Sequence, residues 1–324
     1  MRPDEIRNKK VLLSPLNWGM GHVSRTIGLI HQFISQGNTL VLACDDFQSE
    51  VYRSYFPEII IVEHKGYPFD FGGKGNFAWD LGKNLSALKV RMKQEQLEVE
   101  AFVKEYDIEV VLSDHRYGFF SKQVTSVFLT HQYHLPVSGL LSISDNWHKK
   151  RMRPFDHIWI LDAANSRLSG KLTENIKDDR VLYIGAYSRF SIYEEQQKLR
   201  DVVVVVSGPQ VYAQQFADEM SRKYPKAMFI CPNEIHLDDS IERISGTWLE
   251  QDAVILQAKR LISRSGYSTI MDLEILKISA ELHPTPGQAE QIYLHQRLTD
   301  CSEYNPSTLH DHSYEQKSQP QRRN

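Results

Sequence analysis

Twice in this chain a short aliphatic run ends in a small-residue turn and passes straight into a segment of helical spacing. The first is Val11 to Ser14, followed by Asn17-Trp18-Gly19-Met20-Gly21-His22; the second is Val202 to Val206, followed by Ser207-Gly208-Pro209-Gln210. A strand that enters a helix through a tight turn is the opening unit of a parallel α/β sheet, because parallel strands need a helix-length crossover to return to the same edge. Other runs continue the pattern: Thr39 to Ala43, Ile59 to Val62, Val110 to Ser113, Val127 to Thr130 and Ile158 to Leu161, then Met228 to Cys231, Leu261 to Ser263 and Ala280 to Leu282. They lack strict in–out alternation, which marks strands covered on both faces. Between them, Ile27, Ile30, Phe33 and Ile34 form a helical stripe closed by Gly37, and Leu85 to Tyr106 carries one long apolar stripe. Two Rossmann-like domains in tandem are the expected architecture.

The expected boundaries are 1–185 for the first domain, a charged, Gln-rich linker over 186–200, and 201–301 for the second. From 302 to 324 the chain is Ser, Gln, His, Asn, Pro and Arg with few aliphatics, so this tail is expected to be disordered. A length of 324 residues fits two domains. With 38 Lys+Arg against 41 Asp+Glu, no excess of positive charge recruits nucleic acid. Cys44, Cys231 and Cys301 are too scattered for a disulfide framework or a CxxC metal site, which suits a reducing compartment. The N-terminus has no signal-peptide apolar region, and the aliphatic runs fall far short of the roughly 20 residues of a membrane span. A cytoplasmic location is expected. The basic run His148 to Arg153 and the aromatic stretch Phe69 to Leu81 leave peripheral contact with the inner face of a membrane open, against the plainer reading of solvated loops.

Three turns carry chemistry. Gly19 and Gly21 allow a ligand close to the backbone, and the helix start behind them offers free N–H groups to an anion. A dinucleotide fingerprint would need glycine where Ser24 stands, so Asp45 and Asp46, although placed like the acidic residue of an NAD site, do not make one. His22 sits beside these glycines as a candidate base. The second turn, Arg264-Ser265-Gly266-Tyr267-Ser268, opens a helix carrying Asp272; its hydroxyls suit phosphate oxygens, and the carboxylate suits a ribose diol. An ordinary Ser N-cap is the plainer alternative. The third, Pro284-Thr285-Pro286-Gly287-Gln288, leads to Glu290 and Gln291, suited to sugar hydroxyls or else a solvated helix face.

In this order and spacing, the GxGH loop, the SGPQ turn, SRSGYSTIMDL and PTPGQAEQ resemble the GT-B glycosyltransferases related to the MurG type, over about residues 10 to 298. The resemblance implies two Rossmann-like domains facing each other across a cleft. It implies a nucleotide-sugar donor, commonly UDP-linked, bound by the second domain, and a glycan, lipid-linked or small-molecule acceptor on the first. Neither a metal nor another cofactor is implied. By position, Ser207, Gly208, Gln210, Ser265, Gly266 and the following Tyr267 and Ser268 would lie near the diphosphate. Gln288, Glu290 and Gln291 would reach the sugar. Asp272 stands where the family usually has a glutamate to the ribose. The second domain is short for the class, and the chain turns polar after Leu298, where such enzymes usually carry a returning helix.

For an inverting transfer, His22 is the first candidate base, and Asp114 and His131, at the C-terminal ends of the fourth and fifth strands, are the second. An N-cap or a structural pair with Arg116 is the alternative role for Asp114. Arg264 and the helix starts would meet the leaving-group charge. His115, His131 and His134 lack a compact metal-ligand spacing. A nucleotide-sugar hydrolase and a non-catalytic nucleotide-sugar-binding protein remain as alternatives. Replacing His22 separates enzyme from binder.

Overall fold

The computed structural model of the chain describes residues 1–68, 77–135, 142–300 and 302–307. Cys301, the first part of the aromatic stretch (69–76 of Phe69 to Leu81) and 308–324 of the polar tail lie outside them. Two sheets divide the described residues. In the first, β1 (Lys10–Pro15), β2 (Thr39–Cys44), β3 (Ile60–Glu63), β4 (Val110–Asp114), β5 (Thr125–Thr130), β6 (His157–Ile160) and β7 (Val181–Tyr183) run in the order β3-β2-β1-β4-β5-β6-β7. All pairs are parallel, as the two-faced aliphatic runs require. The crossovers include α1 (Gly21–Ser35), α2 (Asp46–Tyr55), α3 (Phe77–Glu105) and α4 (Ser142–Met152).

The second sheet has the order β10-β9-β8-β11-β12-β13. It comprises β8 (Val203–Val205), β9 (Met228–Ile230), β10 (Arg243–Ile244), β11 (Arg260–Arg264), β12 (Ser279–His283) and β13 (Glu303–Tyr304). Its helices are α5 (Gln210–Lys223), α6 (Trp248–Leu256), α7 (Tyr267–Leu276) and α8 (Ala289–Leu298). Each sheet reverses its strand order once, between β1 and β4 and between β8 and β11. Such switch points leave a crevice at the carboxyl ends of the strands. The motif loops all follow these four strands or β12.

The structure corrects one expectation. Residues 302–307 do not continue a disordered tail: β13 pairs antiparallel with β12, and Tyr304 is fully buried. The segment 186–200, expected as the linker, lies between the two sheets in the chain. It forms a 3-10 turn at Arg189–Ile192, buries Ser188 and Phe190, and lies against both α1 and α7. A Cβ on Gly28 of α1 would come within 2.3 Å of the Ser188 carbonyl oxygen, so only glycine permits this approach. One apolar cluster consequently runs unbroken from Val11, Leu13, Ile27 and Ile30 through Leu161, Leu168 and Phe190 to Tyr267, Ile270, Met271 and Leu294. The domains share a core.

Candidate active site

At the first switch point, β1 and β4 lie side by side with Pro15 opposite Asp114. His22 is the second residue of α1, so the turn after β1 lifts it over the end of β4. Its Nδ1 lies 2.9 Å from Asp114 Oδ2. Asp114 is fully buried and His22 retains 15% exposure of its side chain. Burial alone would raise the Asp114 carboxyl, but Arg25 and then His22 outweigh it and hold it below the usual carboxylate range. Burial, reinforced by Arg25 and opposed by Asp114, pushes His22 down to about 4. His22 is therefore a neutral imidazole at pH 7, backed by a carboxylate.

Asp114 does not pair with Arg116. Arg116 bonds Glu95 at 2.6 Å in a second buried network with His64 and Tyr67, which braces the loop after β4. The cation on Asp114 is Arg25, one helical turn beyond His22: its Nε donates to Oδ2 at 3.0 Å, and its Nη2 to Oδ1. Arg25 was not among the sequence candidates. Its signal was a lone charge on the buried stripe of Val23, Ile27 and Ile30, where an arginine persists only with partners.

His131, after β5, bonds Arg25 Nη1 through Nδ1 at 2.9 Å and Glu290 Oε1 through Nε2 at 3.1 Å. Gln132 Nε2 donates to the other Glu290 oxygen. The His131 ring also stacks on Tyr267, 4.3 Å between centroids and 14° between planes, while the Tyr267 hydroxyl donates to the Leu161 carbonyl. His22, Asp114, His131 and Glu290 thus form one contiguous group drawn from both domains. Gly21, at the start of α1, lies so close to the start of α7 that a Cβ there would meet Ser268 Oγ at 2.5 Å and Cβ at 3.0 Å. Neither helix start is closed by a side-chain cap, and Gly266 is the N-cap of α7. Gly19 is exposed in the turn before α1.

The remaining second-domain candidates divide. Ser207, Gly208 and Gln210 are exposed at the uncapped start of α5. Gln288 caps the chain's entry into α8 by position and accepts from Gln291 Nε2, while Gln291 Oε1 accepts the Thr285 amide at 2.8 Å and its carbonyl accepts Ser265 Oγ. These glutamines brace the turn before α8. Arg264 donates to the Pro284 and Tyr212 carbonyls and lies over the Phe216 ring, so it fastens turns within its own domain. Asp272 is held in the interface: Ser188 Oγ donates to it at 2.5 Å, Ser24 Oγ at 3.4 Å and Arg189 Nη1 at 3.2 Å. Arg189 also donates to Asp252 at 2.6 Å, and Tyr55 and Tyr193 donate to the same carboxylate.

Among the described residues no three His, Cys, Asp or Glu side chains are grouped to hold a metal ion. His115 is occupied by Thr130 Oγ1, and His134 faces the Glu174 carbonyl. Asp45, rather than meeting a ribose, caps α2 by accepting the Gln48 amide at 2.9 Å. The basic run is partly spent. His148 is buried between Tyr117 and the Gln132 carbonyl, Lys149 pairs with Asp145, and Arg151 lies over Trp147. No helix among the described residues is long and apolar enough to cross a membrane.

No protein-family model and no curated protein matches the chain. Solved structures do. The glycotransferase of kitacinnamycin superposes with a TM-score of 0.60 at 12% identity, covering 94% of this chain and 89% of that one. The spinosyn rhamnosyltransferase SpnG gives 0.59 at 14%, covering 89% and 83%. The fold is GT-B. MurG of Acinetobacter baumannii shares it, with a TM-score of 0.50 at 12% identity over 93% of this chain and 88% of that one. At these identities the GT-B likeness concerns the fold, and the chemistry has to be argued from the site.

Proposed function

We propose that this protein is a glycosyltransferase that moves a hexosyl or N-acetylhexosaminyl group from a UDP-linked donor to an acceptor hydroxyl, with inversion and without a metal. The observation that carries the reading is the His22–Asp114 pair at the first switch point, set against the second domain at Gly21 and Ser268. A base needs a free lone pair beside the reacting oxygen. When Nδ1–H donates to Asp114, the His22 Nε2 lone pair is free to take the acceptor's proton. The acceptor oxygen then bonds to the anomeric carbon as the bond from that carbon to the diphosphate oxygen breaks, and a single in-line displacement inverts the centre. The departing diphosphate carries its charge to the uncapped starts of α7 and α5, whose unpaired N–H groups and dipoles favour anions. Glu290 suits the donor's sugar hydroxyls and Asp272 its ribose. Donor entry requires the two domains to part, since Gly21 lies on Ser268 and Arg189 holds Asp272.

Two GT-B neighbours support a nucleotide donor: SpnG is known complexed with thymidine diphosphate, and UGT89C1 of Arabidopsis thaliana with UDP-L-rhamnose. We place the reaction in the cytoplasm at the inner face of the membrane, on a cell-envelope glycan; the exposed Lys150 and Arg153 at the end of α4 support that surface.

The test is thermal shift against UDP, dTDP, GDP and CDP, with and without Mg²⁺, followed by an acceptor screen. A ligand at a hundredfold excess over Kd stabilises the native state by about 2.7 kcal/mol. A metal-independent shift with one nucleotide, and turnover that is lost in His22→Ala while the shift persists, is the expected result. No shift with any nucleotide refutes the reading.

A further inference from the structure

Arg25 touches every polar member of the cross-domain group except Glu290, and its chemistry fixes what its partners can do. A guanidinium has five N–H donors and no acceptor. Arg25 spends Nε and Nη2 on the two oxygens of Asp114 and points Nη1 at His131 Nδ1, 2.9 Å away. Facing a pure donor, His131 Nδ1 has to accept, so the ring proton sits on Nε2. From there it donates to Glu290 Oε1 at 3.1 Å. The opposite tautomer would set two N–H groups against each other at Nδ1 and a bare nitrogen against a carboxylate at Nε2. One arginine in the first domain therefore decides whether the second domain's Glu290 is held or repelled. Arg25 acts on His22 too: Nη2 lies 2.8 Å from His22 Nδ1, but unlike Nη1 it has a carboxylate oxygen of Asp114 to donate to, which leaves His22 Nδ1–H for the other oxygen, Oδ2, at 2.9 Å. A lysine could not do this, because its ammonium is a compact charge without the planar fork that spans both Asp114 oxygens and a third acceptor.

We propose that Arg25 is a positioning residue: it clamps Asp114 behind His22 and sets the His131 tautomer that holds Glu290, registering the two domains' functional groups through one guanidinium. Its catalytic consequence rests on the transferase reading, with His22 as base and Glu290 toward the sugar. The tautomer assignment rests on geometry alone.

The experiment is long-range ¹H–¹⁵N correlation NMR of ¹⁵N-histidine-labelled full-length protein, wild type and Arg25→Lys, at pH 7.5, with His131→Gln to assign the signal. The wild type is expected to show His131 as a single Nε2–H tautomer. Arg25→Lys is expected to show the two tautomers averaging, with kcat reduced about a hundredfold at unchanged donor KM, as for a misplaced rather than absent group. An Nδ1–H tautomer of His131 in the wild type overturns the proposal without any variant having to fold. So does an unchanged His131 spectrum in Arg25→Lys, even with a lowered Tm, because a merely structural arginine would move stability alone. An Nε2–H His131 in a protein that binds no nucleotide supports the clamp and counts against the transferase reading only.

Discussion

Replacing Arg189 by alanine should cost more than any surface charge, because this arginine stands between a buried and a largely buried carboxylate from different parts of the second domain. Its side chain is 13% exposed; Asp252 is 1% and Asp272 13% exposed. It reaches Asp252 at 2.6 Å, Asp272 at 3.2 Å and Ser24 of α1 at 2.8 Å, and it lies over Phe190 and Trp248. Removing one partner from a buried pair leaves the other charge uncompensated and costs about 3–5 kcal/mol, against roughly 0–1 kcal/mol for an exposed pair. At about 2–4 °C per kcal/mol for domains of this size, Tm should fall by roughly 6–20 °C. The loss should depend on pH. Burial raises the Asp272 carboxyl and Arg189 opposes the rise, yet the net shift is upward. A carboxyl raised in the folded state binds its proton more tightly there than in the unfolded chain. Its contribution is therefore present below the unfolded value and is lost as pH rises through the folded one. Without Arg189 the shift grows, so the deficit should be greatest at pH 7–8 and shrink toward pH 5. Calorimetry of Arg189→Ala, Asp272→Asn and the double variant at several pH values measures this. A deficit under 1 kcal/mol, or one that is the same at pH 5 and pH 8, or unaltered by Asp272→Asn, refutes the argument.

Other consequences are simpler. His22→Ala should lower turnover by about 10²–10⁴-fold, read in initial rates at saturating donor, with nucleotide affinity kept. Because burial and Arg25 push His22 of the free protein down to about 4, the acid limb of kcat/KM should lie near pH 4 rather than near 6.5. His22 and His148 are both depressed to about 4, so each contributes stability that is present above 6.5 and is lost as pH falls toward 4; urea unfolding across that range should show it. Gly21→Ala should destabilise by about 1–3 kcal/mol through its contact with Ser268, and Ser268→Gly should restore Tm, since the 3.0 Å contact to Cβ cannot be relieved by turning the hydroxyl. Ending the chain after residue 301 should lower Tm, because Tyr304 is buried and Glu303 pairs with β12.

How much of this was legible follows from what each element packs against. Strands β1, β2, β4, β5, β8 and β11 are covered on both faces, so their aliphatic runs stand out as continuous. The strands that sequence reasoning missed are β7, β10 and β13, each at the edge of its sheet. They are two or three residues long, and Arg243 and Glu303 supply half of the two shortest. Hydrophobic pattern reports burial, and an edge strand this short has little of it to report; the edge strand β3 was legible because its aliphatics Ile60, Ile61 and Val62 are consecutive. The same rule divides the site. His22, Asp114 and His131 could be read because they follow strand ends, where local geometry alone brings side chains to the crevice. Arg25, Arg189 and Asp252 could not, because their meaning lies in partners 89, 83 and 63 residues away. A charge inside an apolar stripe says only that a partner exists. Asp272 shows the limit most clearly: its position in the SRSGYSTIMDL motif points toward a ribose, while its partners in the folded chain are Ser24, Ser188 and Arg189. If both hold, the carboxylate serves the closed interface and the donor in turn, and every nucleotide that binds has to compete with Arg189 for it. Arg189→Ala would then bind nucleotide more tightly than the wild type, despite being the less stable protein; equal or weaker binding would mean that the ribose is recognised elsewhere.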